Sequence, residues 1–321
     1  MALLTPLPLD EARALGAAYG LEIASIEPLA LGSVNSNFRL IAESGETYFA
    51  RLYEEQPFSG AEAELHLLGA LAAEGVPVAG PLETRDGRGV LVHRGKPFAI
   101  FPWVEGDWLC LRSVEEHHCR AVGESLARVH LATPRVGPLS PGRFRPEDML
   151  ARLEALPREA TERLEPNIAR IRERYAVYRA RRDASLPAGI CHGDLFRDNV
   201  LFRGDRIAAL LDFESVSWGS FVYDVAVTVL AWCYRDALVP ELARALGRGY
   251  AEVRRPSAAE LAALDVEAAL ACLRFATTRI TDFELRRAPD APPGRDYRRF
   301  LQRLDAVERG ALEPLRDALG T

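Results

Sequence analysis

The hydrophobic periodicity of this chain changes once, near residue 101, and that change limits the folds open to it. Before it, apolar residues recur mostly with the alternation of strands; after it, mostly with the spacing of helices. Residues 23–31, 38–42, 47–53, 89–93 and 97–104 read as strands, with Glu43-Ser44-Gly45-Glu46 and Arg94-Gly95 as turns. Two helices are expected in this half. One is capped by Asp10 and runs to Ala18; the other spans 61–73, with Leu65, Leu68 and Leu71 on one stripe. Beyond residue 106 the pattern predicts helices over 113–131, 147–156, 167–182, 221–234, 240–253, 258–287 and 297–319. The 113–131 helix would take Ser113 as N-cap and Glu116 as capping-box partner. One β-rich island interrupts them at 188–213, with a turn at Arg203-Gly204-Asp205. Strands then helices, joined by a tight connector, predict an α+β chain of two lobes: 1–100, a hinge at 101–106, and 107–321.

The island concentrates oxygen-bearing side chains. Asp194 and Asn199 are five residues apart, and Asp212 follows thirteen after Asn199, at the far end of a strand-turn-strand stretch that folds it back beside Asn199. Hard cations such as Mg²⁺ take oxygen ligands of this kind when phosphates complete the shell, and a further carboxylate can accept a proton from an alcohol. Taken singly, each has a structural reading: a turn cap, an arginine partner, a loop amide. At this joint spacing they read as a metal–nucleotide site. H-x-D-L-x-x-x-N matches the catalytic loop of protein-kinase-like enzymes, and Asp212-Phe213-Glu214 stands where those enzymes carry D-F-G. His192 is expected to bond the loop backbone and Cys191 to be a buried small residue, with Trp232 and Phe275 in the core.

Other chemistries find little support. The net charge of −6 and a pI near 5.7 argue against nucleic acid as partner. No run reaches the roughly 18 apolar residues of a membrane span. The first residues carry no signal-peptide pattern, so the cytoplasm is expected. Five cysteines without a CxxC pair argue against a disulfide framework. The histidines show no zinc spacing in sequence. No GxxxxGK[ST] or GxGxxG occurs, and Lys96 is the only lysine, so any phosphate contact elsewhere falls to arginine.

The stretch CHGDLFRDNVLF, followed by ALLDFESVS and YDVAVTVLAWC, resembles the aminoglycoside-phosphotransferase-like small-molecule kinases. With VNSNF, FPWVEGDWL, AVGESLARVHLA, LRFATTRITDF and RDYRRFLQRL, the chain is most similar, over nearly its whole length, to the kinase-like (type II) homoserine kinases. The resemblance implies a protein-kinase-like fold and ATP- and Mg²⁺-dependent phosphorylation of a small-molecule hydroxyl, as in threonine biosynthesis. It implies Asp194 as base, Asn199 and Asp212 as metal ligands, and Gly32, Ser33, Val34, Asn35 and Ser36 over the phosphates. Arg51 would stand in place of a phosphate-pairing lysine, with Glu64 (or Glu62) as its partner, and Phe101 to Val104, including Trp103, beside adenine. The carboxylate and ammonium of homoserine would suit arginine and carboxylate partners, for which Asp198, Glu214, Arg274, Arg279 and Asp282 are candidates. Arg279 and Asp282, three apart on a predicted helix, can equally form a structural ion pair. Glu214 departs from the homoserine-kinase pattern. Alternative readings are a kinase for another metabolite or an aminoglycoside, and a nucleotide-binding relative without activity.

Overall fold

The computed structural model describes residues 5–29, 35–137, 139–285 and 295–321. In chain order, the first elements are α1 (Leu9–Ala18), β1 (Ile23–Leu29), β2 (Ser36–Ala42), β3 (Thr47–Leu52), α2 (Phe58–Ala73), β4 (Leu91–His93) and β5 (Lys96–Pro102). Then come α3 (Glu116–Leu131), α4 (Thr133–Val136), α5 (Pro146–Glu154), α6 (Arg158–Leu164), α7 (Asn167–Arg181), β6 (Ala188–Cys191), β7 (Val200–Arg203), β8 (Arg206–Leu210) and β9 (Ser217–Ser220). The chain closes with α8 (Phe221–Trp232), α9 (Pro240–Val253), α10 (Ala258–Arg279), α11 (Arg298–Glu308) and α12 (Glu313–Gly320). The fold is α+β. Among the described residues no helix is long and apolar enough to cross a membrane.

Two compact units form. The first comprises Met1–Asp107 with Leu201–Arg203 and Ala208–Glu214. Its antiparallel sheet has the order β1-β2-β3-β5-β4. Phe38, Leu40, Ala50, Leu52, Phe98 and Ile100 are buried against Ala12 and Tyr19 of the α1 region. Residues Pro97 to Phe101 of β5 are all buried, so this strand is covered on both faces. The N-cap of α1 is Pro8, not Asp10, which lies in the first turn where its charge suits the helix dipole. Pieces of the β7–β8 hairpin join this unit: the Leu210 amide donates to the Pro77 carbonyl at 2.6 Å, and Asp107 and Phe202 exchange backbone bonds. The hairpin turn holds Gly204 at φ +59°.

The second unit holds Trp108–Val200, Gly204–Ile207 and Ser215–Thr321. Its centre is α8, apolar nearly all round and buried accordingly. Helices α3 and α9 cross at two glycines: a Cβ on Gly123 would stand 2.9 Å from the Tyr250 amide nitrogen, and one on Gly249 would drive into the Arg120 backbone. The cap of α3 differs from expectation. Glu115 is its N-cap, and His118 rather than Glu116 closes the capping box; Ser113 ends a separate 3₁₀ turn, Leu111–Ser113. The predicted 297–319 helix is two helices, broken where Gly310 takes φ +82°. The predicted 258–287 helix ends at Arg279 and continues as a π turn, Ile280–Glu284.

Candidate active site

Arg51 sits on β3, opposite Asn37 of β2 and Ala99 of β5. Its Nη1 lies 3.2 Å from Glu64 Oε1 and 3.8 Å from Glu214 Oε1, and its Nε donates to Asn37 Oδ1 at 3.4 Å. Glu64 is 8 % exposed on the inward face of α2, whereas Glu62 is exposed; of the two alternatives, Glu64 is the partner. Burial raises the Glu64 carboxyl, and the nearby Glu214 and Asp212 charges raise it further against the pull of Arg51. Burial alone would lower the Arg51 guanidinium, but Glu64, Tyr53, Glu214 and Asp212 together hold it above its ordinary range, so it stays cationic. Lys96 is engaged elsewhere, by Glu54 and Thr5.

Gly32, Ser33 and Val34 lie outside the described residues. Asn35 Nδ2 donates to Glu214 Oε1 at 2.8 Å, and its Oδ1 accepts the Glu54 amide at 3.1 Å. The Ser36 hydroxyl donates to Glu54 at 2.5 Å, so that side chain is committed to the loop's own structure. Phe101 is buried beside Phe49, while Trp103 follows β5 with Arg39 over its ring at 5.2 Å. Asp212 takes φ +61°, a left-handed conformation that a non-glycine residue adopts at a cost of order 1 kcal/mol and that clusters at functional sites.

In the second unit, β6 pairs antiparallel with β9 and delivers the chain into His192-Gly193-Asp194. The first turn of α8 carries Asp224, fully buried, whose carboxylate accepts the His192 amide at 2.6 Å and the Gly193 amide at 2.8 Å. His130 Nε2 meets the same carboxylate at 3.2 Å, and His130 Nδ1 stands 2.7 Å from the Tyr250 hydroxyl. With Asp224 ionised, Nε2 carries the proton and Nδ1 accepts from Tyr250. Burial would raise Asp224, but His130 and the loop amides outweigh it and hold the carboxyl below its usual range; burial also lowers His130, which is therefore neutral.

Further bonds complete the loop. The Asp194 amide donates to His192 Nδ1 at 3.3 Å, the contact expected of that histidine. Asn199 Nδ2 donates to the Asp194 carbonyl at 2.8 Å, which leaves Oδ1 as the acceptor end of that side chain. Trp232 Nε1 donates to the Leu195 carbonyl at 2.9 Å. Arg274 of α10 donates from Nη1 to the Gly193 carbonyl, and its guanidinium lies 4.1 Å from the Phe144 ring and 4.3 Å from that of Phe275. Gly193 is at φ +73°, which disfavours any side chain, and a Cβ there would stand 3.1 Å from the Ser215 carbonyl oxygen.

The other acceptor candidates are spread apart. Asp198 is exposed and pairs with Arg295 at 3.3 Å. Arg279 and Asp282 do not pair: Arg279 donates to the Asp296 carbonyl at 3.0 Å, and Asp282 meets Arg152 at 3.3 Å. The π turn adds a residue per turn after Arg279 and rotates Asp282 off the expected face. Burial and the charges of Arg303, Arg295 and Arg299 lower Arg279 to about 10.

Among the described residues, two side-chain groups bring histidines close to possible metal partners in space, which sequence spacing concealed: His117–His118–Asp205 and His130–Cys191–Asp224. In the first, His118 Nδ1 accepts the Glu115 amide, so its proton sits on Nε2, the atom turned to His117, and no lone pair is offered there. In the second, burial keeps the Cys191 thiol protonated and Asp224 is already bonded by the loop.

The sheet-plus-helices architecture and the pinned acidic loop define a kinase-like phosphotransferase. The chain belongs to the phosphotransferase enzyme family, whose profile matches residues 25–260. It is 35 % identical over 299 residues to the homoserine kinase of Nitrobacter hamburgensis, covering 88 % of this chain and 87 % of that one. It is 34 % identical over 310 residues to the homoserine kinase of Bradyrhizobium diazoefficiens, covering 92 % and 89 %. Among solved structures, amicoumacin kinase hAmiN in complex with AMP-PNP, Ca2+ and Ami superposes with a TM-score of 0.68 at 17 % identity, covering 95 % of this chain and 93 % of that one. The chain is thus a small-molecule kinase.

Proposed function

We propose that this enzyme phosphorylates the side-chain hydroxyl of L-homoserine with ATP, a step of threonine biosynthesis. The observation that carries the reading is the Asp194 loop, held from two helices, in a chain about one-third identical to homoserine kinases over most of its length. Membership of the family implies ATP and a divalent metal as reaction partners. Asp194 orients the acceptor hydroxyl and takes its proton as the oxygen attacks the γ-phosphorus; ADP leaves. Arg51, fixed by Glu64, holds the nucleotide phosphates, and the segment 32–36 covers them.

Asn199 and Asp212 would serve as the metal ligands, since each side chain offers the oxygen donors that Mg²⁺ takes. The ion supplies charge neutralisation at the phosphates. Residues 1–100 serve as the nucleotide lobe, 101–106 as its hinge beside adenine, with Phe101 and Trp103, and 107–321 as the acceptor lobe. The enzyme works in the cytoplasm, without nucleic acid or membrane as partner.

The test is ADP release with ATP, Mg²⁺ and a panel of hydroxyl acceptors. L-Homoserine is expected to give the highest kcat/KM. Turnover of an aminoglycoside or another amino alcohol with homoserine inert refutes the acceptor, and nucleotide binding without any turnover refutes the activity.

A further inference from the structure

We propose that a cavity lying wholly within the second unit seats the acceptor, and that Arg274 grips the acceptor's carboxylate there; this rests on the homoserine reading above. The cavity has a volume of about 420 Å³, within the range of small-molecule sites. Gly193, the neighbour of Asp194, lines it, together with Phe144, Tyr175, Ser217, Tyr223 and Arg274.

Its polar wall is incompletely matched. Arg274 is 4 % exposed, yet its Nε is buried with no hydrogen-bond partner. The Ser220 hydroxyl, on the same wall, is also buried and unpartnered. A buried cation ordinarily has an acid beside it. Among the described residues of this unit, Arg182 and Arg254 follow the rule: Arg182 has the buried Glu267 at 2.8 Å and Arg254 the buried Glu260 at 2.9 Å. Arg274 has a backbone carbonyl, the Tyr223 hydroxyl and two aromatic faces, and no acid. Around the cavity, Arg182 is neutralised by Glu267 and Arg145 by Asp148. Asp183, which also lines the cavity, is exposed and bonded to Ser185, so the buried charge left over is that of Arg274, and it suits a small carboxylate-bearing alcohol rather than a polycationic acceptor. Arg274 then joins two tasks in one side chain. One amino group holds the loop at Gly193, and the rest of the fork reads the acceptor.

The test compares kcat/KM for L-homoserine and 3-aminopropan-1-ol, which keeps hydroxyl and amine but lacks the carboxylate, in the wild type, Arg274→Lys and Arg274→Gln. A site built around a buried polar group rejects an analogue lacking its partner strongly, so the wild type is expected to prefer homoserine by about 10³-fold or more. In Arg274→Gln that preference is expected to fall by about 10²-fold, chiefly through KM for homoserine, with Arg274→Lys intermediate. Equal losses on both acceptors overturn the proposal, since that is what loss of the Gly193 contact alone produces. Should the variants not fold, wild-type enzyme is assayed with homoserinamide. Turnover at least about 100-fold below homoserine supports the carboxylate contact, and equal turnover overturns it. If the wild type phosphorylates no homoserine at all, the acceptor reading itself fails and this inference with it; equal losses in a working homoserine kinase overturn the seat alone.

Discussion

The Asp224 carboxylate bonds the main chain of Gly193 at 2.8 Å, and through the adjoining His192 amide it holds the turn from which Asp194 projects. Asp224→Asn keeps the size but replaces one acceptor with a donor facing an N–H. The variant is expected to lose about 1–3 kcal/mol of stability, the cost of an unsatisfied buried group, measured by denaturant unfolding. Its kcat is expected to fall by about 10²-fold with KM for ATP nearly unchanged, because a displaced base spoils the attack geometry and not the nucleotide site. An unchanged kcat would mean that the clamp does not position Asp194.

His130 gives this clamp a pH signature. Burial lowers its folded pKa below the ordinary histidine value of about 6.5, so the unfolded chain binds a proton that the folded one excludes. Its contribution is therefore complete above about pH 6.5 and is lost as pH falls below it, at up to about 1.4 kcal/mol per pH unit. Asp224, held low, weakens the fold in the same direction only in the more acidic range, as pH drops below the ordinary carboxyl value. Tm of the wild type is expected to fall between pH 7.5 and 5, and His130→Gln to show a flatter profile. An identical slope would remove His130 from the effect.

Arg51→Ala leaves Glu64 buried without its cation. The expected result is a 10- to 100-fold loss in kcat/KM for ATP, about 1.4–2.7 kcal/mol at the transition state, with KM for homoserine little changed. Arg51→Lys is expected to recover only part, since an ammonium cannot span Glu64 and phosphate as a fork does. Unaltered ATP kinetics would refute the phosphate role.

The crossing of α3 and α9 tests the fold apart from the chemistry. Gly123→Ala or Gly249→Ala puts a methyl group into facing backbone and is expected to destabilise by about 1–3 kcal/mol, read by chemical denaturation. The double variant is expected to lose less than the sum, because both open the same crossing.

Much of this architecture was legible from local signals. The 240–253 helix matches α9 residue for residue because Pro240 opens it and its apolar face is clean. Short elements without a strong stripe, α4, α6 and β9, went unseen. Contacts that join distant segments left no periodic trace: Asp224 lies 31 residues from Gly193, and Arg274 lies 81 from it. The motif YDVAVTVLAWC marked the place of Asp224 but not its task. The i,i+3 spacing of Arg279 and Asp282 makes a pair only on an α-helix, and the backbone there is π. The Glu115–His118 cap escaped because histidine is not the usual capping-box partner.

The most direct measurement of the central claim follows the product itself. Wild type and Asp194→Asn are incubated with ATP, Mg²⁺ and L-homoserine, and phosphorylated homoserine is quantified by ³¹P NMR alongside thermal unfolding of both proteins. The wild type is expected to form the phosphate ester. Asp194→Asn is expected to keep its fold and lose about 10²–10⁴-fold in rate, the range of a general base. A folded Asp194→Asn enzyme that makes the ester at the wild-type rate would contradict the account.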